Sequence, residues 1–126
     1  QREARQGMGW LTREVRQAHW RPTIISPDVN NNTIIIFDTP DANDVIYSVV
    51  KTSVGGQTLS QLQRRGLIDT KIRANDITGL SINDITSLNS KSRILNITMT
   101  AAKTFISGGI ERTLVFSLNE MVDVRN

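Results

Sequence analysis

A chain of 126 residues is long enough for one domain with a core of its own; with no cysteine and no apolar run of bilayer length, it carries no disulfide framework, no thiolate metal site and no membrane-spanning helix within it. Aromatic residues make up only 5%, whereas Ile, Val, Thr, Ser and Asn are abundant and favour strands and turns. The net charge of +3 is unevenly placed: residues 1–21 hold five Arg against two Glu, and the remaining ten basic and ten acidic side chains cancel. Such an excess reads either as a solvated helix face or as a site for an acidic partner, such as a neighbouring subunit, anionic headgroups or nucleic acid.

The first element is a helix over residues 1–21. Ala4, Met8, Leu11, Val15 and Ala18 recur at intervals of four, three, four and three, which places them on one stripe. Arg2, Arg5, Arg13 and Arg16 fall on the opposite side, and Glu14 has no charged partner four residues on. Pro22 stops the helix. No capping residue starts it, and the segment reads as the back half of a longer helix with native sequence preceding Gln1. Gly7 and Gly9 each weaken a helix by about 1 kcal/mol relative to Ala, so its first two turns are expected to fray.

Beyond Thr23 the period becomes strand-like. The run TIIIFD (33–38) is a short strand between the turn formers DVNNN and TPDAND. Residues 44–65 read as a β-hairpin: DVIYSVVK, a turn at Gly55-Gly56, and TLSQLQRR returning. Another strand is expected around Ile77 to Ile82, then a polar loop through NSKS. The alternating RILNITMT, a second glycine turn at 108–109, and RTLVFSLNE complete the pattern. No helical pattern separates the strands, so the sheet is expected to be antiparallel. The expectation is a single domain over 1–126 of the α+β class, with helix 1–21 laid across one antiparallel sheet of five or six strands spanning 23–126.

The order of these segments resembles that of minor type IV pilins and type II secretion pseudopilins. LTREVRQA (11–18) is similar to the stretch where their long helix runs into the head. TIIIFDTPDANDVIYSVV is similar to their first hairpin, with an aromatic in each strand, here Phe37 and Tyr47. TLSQLQRRG, IRANDITGLSI and the terminal VDVRN follow in like order. The resemblance implies a pilin-like fold and a structural role by non-covalent assembly with other pilin or pseudopilin subunits. It also implies a short leader and about 20 apolar residues ahead of Gln1, the length that anchors a helix in a bilayer. The head would then stand outside the cytoplasm at the bacterial inner membrane or on a surface filament. An alternative of another class is a ligand- or DNA-binding head, an adhesin or competence pilin, using the basic helix face.

Chemistry for an enzyme is sparse. His19 is the single histidine, there is no cysteine, and neither Gly-Gly pair is followed by the Lys and helix that phosphate binding needs. No catalytic residue is assigned. Asp28, Asn30 and Asn32 match the first three ligand positions of a calcium loop, but Thr33 stands where that loop needs Gly and Thr39 where it needs Glu. A turn capped by Asx side chains accounts for the stretch better than calcium does. Trp10, Arg13, Arg16 and Trp20 are the candidate subunit-interface residues, since Trp beside Arg is typical of interface centres. The same pairing could stack on single-stranded nucleic acid, the less favoured reading. Met8, Leu11, Val15 and Ala18 are the residues expected to pack the helix on the sheet.

Overall fold

A computed structural model describes residues 2–18, 22–27, 31–87 and 92–125. It overturns the expected fold class. The molecule is mostly β, and among the described residues its eight strands form two antiparallel sheets instead of one sheet under a helix. The element order is α1 (Arg2–Arg16), β1 (Thr23–Ile25), β2 (Ile34–Phe37), β3 (Val45–Val54), β4 (Gln57–Arg65), β5 (Thr70–Asn75), β6 (Ile77–Asp84), β7 (Ser92–Ser107) and β8 (Ile110–Arg125). Strands β1 to β5 make one meander and β6 to β8 another.

The break between the sheets is at Asp76. Its φ of 60° is costly for a non-glycine residue, and it turns the chain out of one ladder into the next: Asn75 pairs with Gln61, whereas Ile77 pairs with Ala101. Both sheets present an apolar face inward. Val45, Tyr47, Val49 and Leu62 on one side, and Leu80, Ile82, Leu95, Ile97, Met99, Val122 and Val124 on the other, belong to one core. Two apolar faces of this kind bury each other, which one sheet could not do.

Both glycine turns stand where expected. Gly55 and Gly56 (φ 57° and 79°) join β3 to β4, and Gly108 and Gly109 (φ 59° and 76°) join β7 to β8, as two-residue hairpin turns with both residues left-handed. The second hairpin is far longer than the alternation suggested: its pairing runs without a break to Ser107 opposite Ile110.

The helix stripe is buried as read, from Ala4 through Met8, Leu11 and Val15 to Ala18. Its seat differs, because α1 touches β5 of one sheet and β7 and β8 of the other. The expected fraying at Gly7 is also corrected. A Cβ there would lie 2.9 Å from the Ala74 Cβ and 3.2 Å from Leu62, so Gly7 is what lets the helix backbone approach the sheet. Glu3 pins the first turn, its carboxylate accepting the Asn75 amide at 2.7 Å and the Asn75 side chain at 2.8 Å. Nothing lies within 4 Å of a Cβ at Gly9.

Candidate functional site

The outward face of α1 carries the sequence-derived interface candidates. Trp10 is 40% exposed. The Arg13 guanidinium lies 5.1 Å from its ring centroid and that of Arg73, from β5, 4.0 Å from it. Two cations on one indole hold it in place, each contact contributing about 0.5–1 kcal/mol at an exposed site. A groove of about 740 Å³ runs between α1 and β8, with Arg5, Arg13 and Arg16 on one wall and Leu118 and Glu120 on the other. Arg16 reaches across to Glu120 at 3.4 Å, an exposed pair that adds little stability but narrows the groove. Thus Arg13 joins Trp10 on one side and shares the groove with Arg16 on the other. Trp20 and His19 lie outside the described residues.

Beneath this face is a group that the sequence reading missed. Glu14, expected to lack a partner, is matched from the sheet. Arg64 donates from Nε to both carboxylate oxygens at 3.0 Å, and Arg73 lies at 3.6 Å. The Tyr47 hydroxyl donates a short hydrogen bond to the same carboxylate. Side-chain exposure is 12–13% for Glu14, Arg64 and Arg73, so the cluster is largely screened from water. Burial first, and then the bond to Glu14, push the Tyr47 hydroxyl well above its ordinary range. Arg73 arrives through a β-bulge: Ala74 pairs with Leu62 and Ile72 with Gln63, which leaves Arg73 as the extra residue, re-aimed at Glu14 and Trp10. Its Nε is buried without a hydrogen-bond partner, so the stacking on Trp10 is the main contact of that edge of the guanidinium. Strand parity could have exposed Arg64, which shares the inward face of Leu62. The bulge that delivers Arg73 has no signal in a single sequence.

Of the calcium candidates, Asn32 is buried and engaged elsewhere. Its side-chain oxygen accepts the Leu80 amide at 2.8 Å and its nitrogen donates to the Thr78 carbonyl at 3.4 Å. Thr33 continues the strap, donating its amide to Leu80 and accepting the Ile82 amide on its hydroxyl. Together they cap the outer edge of β6. Asp28 and Asn30 lie outside the described residues, and among the described residues no three His, Asp or Glu side chains converge as a metal centre requires. Across DTPDAND (38–44) the Asp38 side chain accepts the Asp44 amide at 2.8 Å and closes the loop.

Comparison with protein-family models, with curated proteins and with solved structures returned no match. No helix among the described residues is long and apolar enough to cross a membrane.

Proposed function

We propose that this chain is a structural subunit of an envelope-anchored filament, of the minor pilin or pseudopilin kind, and that it works by non-covalent assembly with other subunits. The observation that carries the reading is Trp10, exposed on α1 and held by the Arg13 and Arg73 guanidinia. A large ring fixed before binding has little rotamer freedom left to lose, and Trp and Arg dominate the energetics of protein interfaces. The buried Glu14 cluster supports it, because it fixes one of the two cations from below. The order of segments along the chain supports the filament class, and the fold does not enter the reading. The head would stand at the cell envelope, outside the cytoplasm.

Association with purified pilin-like subunits tests the proposal. Trp10→Ala should weaken it by about thirtyfold or more, the range of an interface hot spot. Unchanged affinity in that variant would remove this face from assembly. A second reading rests on Arg5, Arg13 and Arg16 along the same groove, which could follow a nucleic-acid backbone. Micromolar DNA affinity near physiological salt, lost with its salt slope in Arg13→Ala/Arg16→Ala, would put that reading first.

A further inference from the structure

Past Asp76 the two hairpins continue as arms, and the strands that flank them lower down stop. β5 pairs with β4 only from Gln61 to Arg65, so Gln57 to Ser60 have no neighbour on that side. β6 pairs with β7 only up to Ala101, so residues 102–107 have none on theirs. A slot of about 620 Å³ lies between these bare edges, with Asp76 at its floor and Leu59 and Ile106 among its walls.

The orientation of the β7 backbone follows from one bond. The Ala102 amide donates to the Asp76 carbonyl at 3.0 Å, toward the β6 side. In an antiparallel ladder the direction alternates, so the N–H and C=O groups of Thr104 and Ile106 also point to the bare side, while Lys103 and Phe105 bond to β8. The 3.1 Å contact of the Thr104 and Thr113 hydroxyls fits the close, non-bonded pairs of that pattern. Elsewhere the molecule caps such an edge, since Asn32 and Thr33 satisfy the outer groups of Leu80 and Ile82. Among the described residues nothing caps 102 to 107, which has no proline and no bulge; of the usual protections of an edge strand it keeps one charge, Lys103.

We propose that this edge of β7 receives an extended, acidic segment of a partner protein by strand addition. Lys103 and Arg112 share the face of the arm that carries Phe105 and Leu114, Lys51 has the same inward parity on the other arm, and none of the three takes part in an ion pair. The opposite face presents Ile106 and Val115, exposed, with Glu111 opposite Ile106 as the charge that keeps acidic side chains off that face. An added strand alternates its side chains between the two faces, so the matching segment alternates acidic residues toward Lys103 with apolar residues toward Ile106. A second copy of this arm is a poor occupant, because the same face of it carries Lys103 and Arg112 and no carboxylate to meet Lys103. The inference stands on the edge geometry and does not depend on the filament reading.

The test uses a capped, fluorescent eight-residue peptide alternating Glu and Val, titrated against the chain by anisotropy, with amide exchange read at Thr104 and Ile106. Saturable binding and slowed exchange at both amides are expected. Ile106→Pro, which removes one edge donor, and Lys103→Glu should each weaken binding about tenfold. Peptide N-methylated at every residue, which removes the donors of both its edges, probes the same bonds on the unaltered chain and should not bind. The proposal is overturned by a lack of saturation at millimolar peptide, by equal binding of the N-methylated peptide, or by a peptide-free dimer that Ile106→Pro abolishes.

Discussion

The helix seat and the two hairpin arms are built from the same antiparallel ladders, yet they treat polar and apolar groups in opposite ways. At the seat, a carboxylate, two guanidinia and a phenol are withdrawn from water and matched to one another, with Leu11, Val15, Tyr47 and Leu62 fully buried around them. On the arms, Phe105, Ile106, Ile110, Leu114 and Val115 are left exposed, and one strand edge has no partner. The seat holds the molecule together and steadies Trp10 from below. The arms add little to the core, and what they expose is suited to contact with something else.

The largest effect that would break this comparison is at Glu14. Replacing it with Ala leaves Arg64 and Arg73 largely buried with no anion, and breaking such a pair costs about 3–5 kcal/mol. Leu11→Ala should fall in the neighbouring range of about 2–5 kcal/mol. Ile106→Ser on the arm should stay within about 0.5 kcal/mol. Urea unfolding of the three variants checks the ordering, and a large loss from the arm variant would show that the arm belongs to the core.

Two glycines in the middle of the helix, Gly7 and Gly9, sharpen the same contrast. Gly7→Ala forces a Cβ against Ala74 and Leu62 and is expected to cost about 1–3 kcal/mol. Gly9→Ala meets nothing and should stabilise the helix by up to about 1 kcal/mol. Opposite shifts in melting temperature are expected; shifts of the same sign would mean that the helix does not approach the sheet at Gly7.

A smaller effect comes from the far end of β6. Hydrogen bonds from Thr86, and then Arg93, hold the Asp84 carboxyl at about 2, below its ordinary 3.8. A depressed carboxylate stabilises the fold above its unfolded value, and that contribution is lost as pH falls from near 4 toward 2. Asp84 is partly exposed, so its share is under about 1 kcal/mol. Stability of the parent measured between pH 5 and 2 should therefore fall slightly more steeply than that of Asp84→Asn.

The sequence made the hairpins and the helix stripe legible because each rests on local periodicity. Alternation from Val45 to Val49 and from Leu95 to Met99, and the paired glycines, need no tertiary information. It did not show two sheets, because the division depends on one left-handed residue, Asp76, just ahead of the strand expected at Ile77. β5 (TKIRAN) was missed because only Ala74 in it is buried, and β1 because it is three residues long. Of the candidate site, Trp10 and its neighbouring arginines could be picked out by helical spacing. The partners of Glu14 could not, since Tyr47, Arg64 and Arg73 come from three different strands and one of them from a bulge.

Native-state amide exchange tests most directly the claim that a fixed seat and an open arm edge coexist. The account predicts the slowest exchange at Tyr47 and Leu62, through global unfolding alone. Along the arm it predicts an alternation, with Lys103 and Phe105 slowed by their bonds to β8 and Thr104 and Ile106 exchanging fast from the bare side. Uniform protection from 103 to 107, or exchange at Tyr47 as fast as at Ile106, would contradict it.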